Sequence, residues 1–370
     1  MKRILGPLLL VLLVVGVGWA IVRSVGSALS SRHVVAARGL VGSEKVAYLT
    51  DPRVVALVRK HGLDLTVEKA GSREMAARSD LAHYDFAFPA GAPAAAKLMQ
   101  QTGVKKSYNP FFTPMAVASW KPIVAVLAAN GMAHGGADGT QLLDMHKLFD
   151  VMRSGTRWKD LPRNTAYAIG KSVLVSTTDV RTSNSAAMYL ALTSYVANGD
   201  NVVQSDADVA RVVPPLTALF RKQGFQEAST AGPFEDYLTM GMGKAPLVMI
   251  YEAQFIEYQM EHGPGNPDMV LLYPQPTVFT KHTLVPLSPR GDSLGVWLEN
   301  DVELQRLAAE YGLRTPDGAY AAKLWADKGV HVPSQLIDVI DPPSYEVLER
   351  MITAIARGGQ PCAPADSTCH

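Results

Sequence analysis

The stretch Thr178 to Leu192, TDVRTSNSAAMYLAL, sets hydroxyl and amide side chains directly ahead of an apolar run with helical spacing. A helix start leaves its first backbone N–H groups without intrahelical partners and carries positive potential. Serine or asparagine there either caps the helix or donates to a bound acceptor oxygen. Thr182, Ser183, Asn184 and Ser185 hold more donors than one cap requires. Capping is the plainer account of any one of them; as a run they predict a surface for an oxyanion or a polar small molecule. Arg73 opens another predicted helix, where a cation is slightly unfavourable, so it is a candidate partner for an anion, with a surface ion pair as the competing account.

Other chemistry is poorly represented. The chain has no Gly-x-Ser-x-Gly elbow, His-Glu-x-x-His pair, Cys-x-x-Cys pair or complete Gly-x-x-x-x-Gly-Lys-Ser/Thr phosphate loop. GMGKA (241–245) reads as a helix end, and HGGADG (134–139) as a glycine-rich loop rather than a metal site. No catalytic residue, metal or cofactor is expected.

Positioning the binding residues takes alternating strands and helices. HVVAARGLVGSEK (33–45) reads as a strand ending at a Gly-Ser turn, EKVAYLTDPRVVALVRKHG (44–62) as a helix and LDLTVEKAGS (63–72) as a strand. REMAARSDL (73–81) is a helix, YDFAFPAG (84–91) a strand and APAAAKLMQQTG (92–103) a helix. This order predicts right-handed crossovers and a parallel sheet. FTPMAVASW (112–120) is a further strand that continues into KPIVAVLAANGM (121–132). Residues 140–155 read as a helix, SVLVSTTD (172–179) as a strand, 206–224 and 232–244 as helices, and APLVMIYEAQF (245–255) as a strand; DMVLLYPQPTVF (268–279) carries the chain back. The expected fold is α/β and two-lobed, each lobe a mostly parallel sheet with flanking helices. Lobe I spans 33–115 plus 275–355 and lobe II spans 116–274, with hinge motion near residues 115 and 275. Ligands of open parallel sheets sit at the carboxyl ends of strands. The turns Gly42-Ser43-Glu44, Gly71-Ser72-Arg73, Pro89-Ala90-Gly91 and Asp179 to Ser185 are therefore expected to converge on one cleft.

Composition bounds the partners. With 370 residues, 48% hydrophobic and 19% charged, the chain is globular; 35 Lys plus Arg against 34 Asp plus Glu, without long runs of one sign, gives no nucleic-acid footprint. Met1-Lys2-Arg3 precedes an apolar stretch from Ile4 to Val22. Its length, near the roughly 20 residues that cross a bilayer, favours an uncleaved anchor over a cleaved signal within residues 1–32. A single-pass membrane protein with its folded part extracytoplasmic is expected. No cysteine follows the apolar run, so a lipidated N-terminal cysteine is excluded. Cys362 and Cys369 lie in the polar tail 356–370, either as a small loop-closing disulfide or as two unpaired thiols.

Taken in order, GSEK, GSR, TPMAVASW, TTDVRTSNSAAMYLAL, MIYEAQF and LLYPQPTVFTKHTLVPL resemble bacterial extracellular solute-binding proteins of the type II periplasmic-binding fold. They look most like the membrane-anchored actinobacterial group whose members are also found joined to von Willebrand factor A domains. The resemblance covers roughly residues 33–355 and departs at Asp179-Val180, where the family commonly has Asp-Pro. It implies ligand contacts from Ser43 and Ser72 in lobe I and from Ser119, Ser183, Asn184 and Tyr251 in lobe II. Trp120 and Tyr251 are either apolar walls of the site or core aromatics, and Glu44 either faces inward or is a first-turn charge favoured by the helix dipole. The expected function is capture of a small polar or anionic solute for a transporter permease or an envelope complex. A ligand-free interaction module of the same fold is the second reading. A hydrolase or transferase dependent on Ser183 or Ser43 is the third.

Overall fold

The computed structural model describes residues 34–359 except 137, 225–228, 264 and 334–337. The predicted anchor and both cysteines lie outside the described residues. Among the described residues no helix is long and apolar enough to cross a membrane.

Three strands open the chain: β1 (Val35–Val41), β2 (Leu63–Lys69) and β3 (Phe86–Phe88), with β2 and β3 both parallel to β1. Gly39 of β1 lies beneath Phe86, where a Cβ would sit 2.0 Å from the ring. The Phe86 ring therefore fills the layer between the sheet and its helices.

The strand β4 (Tyr108–Trp120) joins the two lobes. Its first half pairs antiparallel with β9 (Thr277–Pro286), and Met115 to Trp120 pair antiparallel with β7 (Val248–Tyr251) and β8 (Met269–Gln275). Short strands β5 (Ala133–Gly135) and β6 (Gln141–Asp144) extend this side, and β10 (Val339–Ile340) pairs with β9. The order is β2-β1-β3-β9-β4-β8-β6-β5, with β7 beside β4. The expectation of mostly parallel sheets is corrected for lobe II. There β4 enters as one continuous strand and its neighbours run back against it, so only β6 and β8 pair in parallel among its named strands. The fold is mixed α/β.

Local chemistry moves several boundaries. KPIVAVLAANGM does not continue β4 but turns into the helix Lys121–Ala129, because Pro122 fits a first helical turn and cannot donate to a ladder. Asp51 and Pro52 divide the predicted helix 44–62, and the Asp51 carboxylate accepts from Arg53 N at 2.7 Å to start the helix Pro52–Lys60. Residues 172–179 run extended but pair only through isolated bridges at Ser172 and Ser176. Gln141 to Asp144 form β6 rather than helix, and Asp144 caps the helix Met145–Ser154.

The helices on lobe II close over a core in which Val117, Leu127, Leu148, Leu190, Leu216 and Ile250 are buried. The last helix, Tyr345–Ala356, packs its Val347, Leu348, Met351 and Ile352 into that same core. Lobe I has its own cluster around Phe86, Phe88, Phe111 and Leu294.

Candidate functional site

A cleft of about 620 Å³ lies between the lobes, a size suited to a small molecule. Ser43, Glu44, Lys69, Ser72 and Arg73 line it from lobe I, and Arg181, Thr182, Ser183, Asn184, Ser185, Ser229, Thr230 and Tyr251 from lobe II. Tyr345 and Glu349 reach it from the last helix.

The lobe II wall is the start of the helix Asn184–Ala197, nearly all of which is buried. Ser183 occupies the cap position but makes no side-chain cap bond. Its hydroxyl instead accepts from Thr178 Oγ1 at 2.8 Å and pairs with Ser185 Oγ at 2.9 Å, while Thr178 and Ser185 pair at 2.8 Å. This closed triangle of hydroxyls fixes the helix mouth without side-chain capping. The turn before it is held by the Asp179 carbonyl, which accepts from Thr182 N and Ser183 N. Asn184 Nδ2 donates to Tyr251 Oη at 3.0 Å. Burial, and then the charge of Glu44, push the Tyr251 hydroxyl far above its ordinary pKa, so it stays protonated and remains a donor.

In the lobe I wall, Ser72 Oγ accepts from Ala90 N at 2.9 Å, locking two of the convergent turns together. Glu44 faces inward, and its carboxylate pairs with the fully buried Lys45 ammonium. Burial alone would raise the Glu44 pKa, but Lys45 and then His282 reverse that and hold it well below the ordinary range. Lys45 Nζ also lies 3.0 Å from His282 Nδ1 and 4.8 Å from the centre of the Phe88 ring. The cleft floor is thus an ionised carboxylate anchored from behind, an acceptor that suits a ligand bearing hydrogen-bond donors. Lys69 lines the rim with no acidic partner among the described residues.

The lobes touch across the cleft. A Cβ on Gly71 would lie 3.1 Å from Thr182 O, and one on Gly91 would lie 2.5 Å from Asn184 Oδ1. Arg73 reaches over to donate to Val180 O at 2.6 Å and holds Glu349 through two bonds of 2.7 and 2.5 Å. Ser43 and Ser229 face one another with their hydroxyl oxygens 3.4 Å apart.

Eight sequence-predicted residues therefore share one cleft: Ser43, Ser72, Arg73, Thr182, Ser183, Asn184, Ser185 and Tyr251. Ser119 lies elsewhere, fully buried on β4, where its hydroxyl donates to Pro246 O at 2.9 Å. Trp120 is a core aromatic: its indole N–H donates to Ala245 O and its ring lies 4.5 Å from that of Tyr237. The anion partner of Arg73 within the chain is Glu349. Sequence reasoning missed Lys69, Ser229, Thr230, Tyr345 and Glu349. Tyr345 and Glu349 stand four apart on one amphipathic helix, but nothing local says that this helix folds back over the cleft.

No family model matches the chain, and no curated protein does. Solved structures do. The substrate-binding protein of an ABC transporter from Agrobacterium tumefaciens superposes with a TM-score of 0.55 at 13% identity, covering 90% of this chain and 97% of that one. An ABC substrate-binding protein from Listeria monocytogenes, in complex with cycloalternan, superposes with a TM-score of 0.50 at 11% identity, covering 88% and 95%. The likeness is one of fold: the two-lobed architecture of substrate-binding proteins.

Proposed function

We propose that this chain is an extracytoplasmic solute-binding protein, held to the membrane by its N-terminal segment, that closes its two lobes on a small polar or anionic ligand. The observation that carries this reading is the convergence of Ser43, Ser72, Ser183 and Asn184, from turns far apart in sequence, on one interlobe cleft. The shared fold with ABC-transporter substrate-binding proteins supports a binding role rather than catalysis. Hydroxyls, the helix mouth at Asn184 and the cation at Lys69 favour acceptor oxygens on the ligand, and the Glu44 carboxylate favours donors on it. The order of motifs supports a place in the actinobacterial group related to proteins with von Willebrand factor A domains, delivering to a permease or an envelope complex.

Native mass spectrometry of residues 33–370 purified from a native-type host tests this. A discrete added mass, lost when Ser183 and Asn184 both become Ala, is the expected result. A ligand-free interaction module is the second reading, favoured by the internal pairing of Arg73 with Glu349 and of the three hydroxyls with one another. No added mass, and no thermal shift with a panel of oxyanions, sugars and amino acids, would select it.

A further inference from the structure

We propose that lobe II carries a second binding site, behind the cleft, for a small anion that also bears hydroxyl donors: a phosphorylated or carboxylated polyol. The proposal does not depend on what the cleft binds. A cavity of about 760 Å³ opens on the far side of the extended segment 172–179, with Trp158 and Pro246 among its walls. Two of its lining side chains hold buried polar atoms without a hydrogen-bond partner, Thr177 Oγ1 and Gln223 Oε1. Buried polar groups are nearly always partnered, by protein or by water, so each of these needs a partner that the described residues do not supply. The Gln223 amide is oriented by its own nitrogen, which donates to Val175 O at 2.7 Å, so its oxygen is left as an acceptor that needs a donor. Thr177 accepts or donates.

Charge supplies the rest of the specificity. Lys171, Lys222 and Lys244 line the cavity against one carboxylate, Asp236. Lys244 stands 3.7 Å from Asp236 and Lys171 donates to Gly243 O at 3.3 Å, which leaves Lys171 and Lys222 without a carboxylate partner among the described residues. An excess of ammonium groups beside an acceptor amide fits a ligand with an acidic group at one end and hydroxyls at the other. The placement also joins the two sites. Ser176 is pinned to β7, with Ser176 N donating to Leu247 O and Met249 N to Ser176 O. Leu174 to Thr177 line the cavity, and the next residue, Thr178, holds Ser183 and Ser185 at the cleft.

Isothermal titration of the full chain in a mild non-ionic detergent at low salt, with glucose 6-phosphate, gluconate, glucose and inorganic phosphate as separate arms, tests the proposal. Saturable one-to-one binding of glucose 6-phosphate or gluconate is expected, at least tenfold tighter than glucose, with the two anions separating phosphate from carboxylate. Gln223→Leu and Lys222→Met should each weaken it about tenfold, whereas Ser183→Ala with Asn184→Ala should leave it within twofold, a factor of ten being 1.4 kcal/mol. Lys222 is exposed, so its variant keeps the test open should Gln223→Leu fail to fold. No saturable heat with either anion at millimolar concentration, or binding lost with Ser183 and Asn184 rather than with Gln223 and Lys222, would overturn the site.

Discussion

His282 is fully buried on β9, its Nδ1 facing the Lys45 ammonium and its Nε2 left without a partner. Burial first, and the Lys45 charge second, bring its pKa from the ordinary 6.5 down to about 4. The folded value lies below the unfolded one, so between them the unfolded chain binds more protons. Stability from the neutral imidazole is therefore complete above pH 6.5 and lost as the pH falls toward 4, on the order of 3 kcal/mol in all. Glu44 acts in the same direction below its ordinary 4.5. Melting temperature followed from pH 7 to pH 4 should fall, and His282→Gln should flatten the portion above pH 4.5; equal slopes in both proteins would remove the histidine as the source. None of this was legible in the sequence, where His282 is one of nine scattered histidines. The hydroxyl run at 182–185 was legible because its composition exceeds what a cap needs. Ser119 shows the limit of carrying positions over by resemblance: it is buried on β4, none of whose residues lines the cleft, and its side chain points to Pro246.

At the scale of elements, the helix starts of opposite lobes meet with almost no space between them. Gly91 opens the helix Ala92–Thr102 at φ −135°, which any residue adopts, so its smallness serves the Asn184 side chain that lies against it. Gly91→Ala should cost roughly 1–3 kcal/mol in urea unfolding by displacing Asn184 from Tyr251, and close to nothing when Asn184 is already Ala. Equal costs in both backgrounds would mean that the contact is not what the glycine protects. Most elements of lobe I were readable from alternation and helical spacing, since Gly and Pro mark their ends. Those that were misread had two signals in conflict. In KPIVAVLAANGM the β-branched residues argue for strand and Pro122 for a helix start, and the proline prevails because β4 already ends at Trp120. The antiparallel pairing of β4 with β7, β8 and β9 depends on partners more than a hundred residues away, and no local pattern records it.

Over the whole molecule, Arg73 ties three parts through one side chain: the helix start that carries it in lobe I, Val180 in lobe II and Glu349 on the last helix. Its side chain is 13% exposed and that of Glu349 25%, so the pair is partly screened yet holds planar two-point geometry. An ammonium cannot reproduce that geometry while also reaching a carbonyl on the facing lobe. Arg73→Lys should therefore keep the charge, lose about 1–2 kcal/mol of the lobe-to-lobe contact and raise the radius of gyration measured by small-angle scattering. Salt should open the native protein in the same direction, because the pair is not deeply buried. The bend would fall near residues 115 and 275, where β4 and the passage from β8 to β9 carry the chain between the lobes. If Arg73→Lys and high salt both leave the scattering curve unchanged, the contacts at Gly71, Gly91 and Ser43 hold the lobes together without Arg73, and closure is a property of the packed interface rather than of one ion pair. If the curve opens and a cleft ligand closes it again, Arg73 is a latch whose strength sets how much of the ligand's binding energy closure requires.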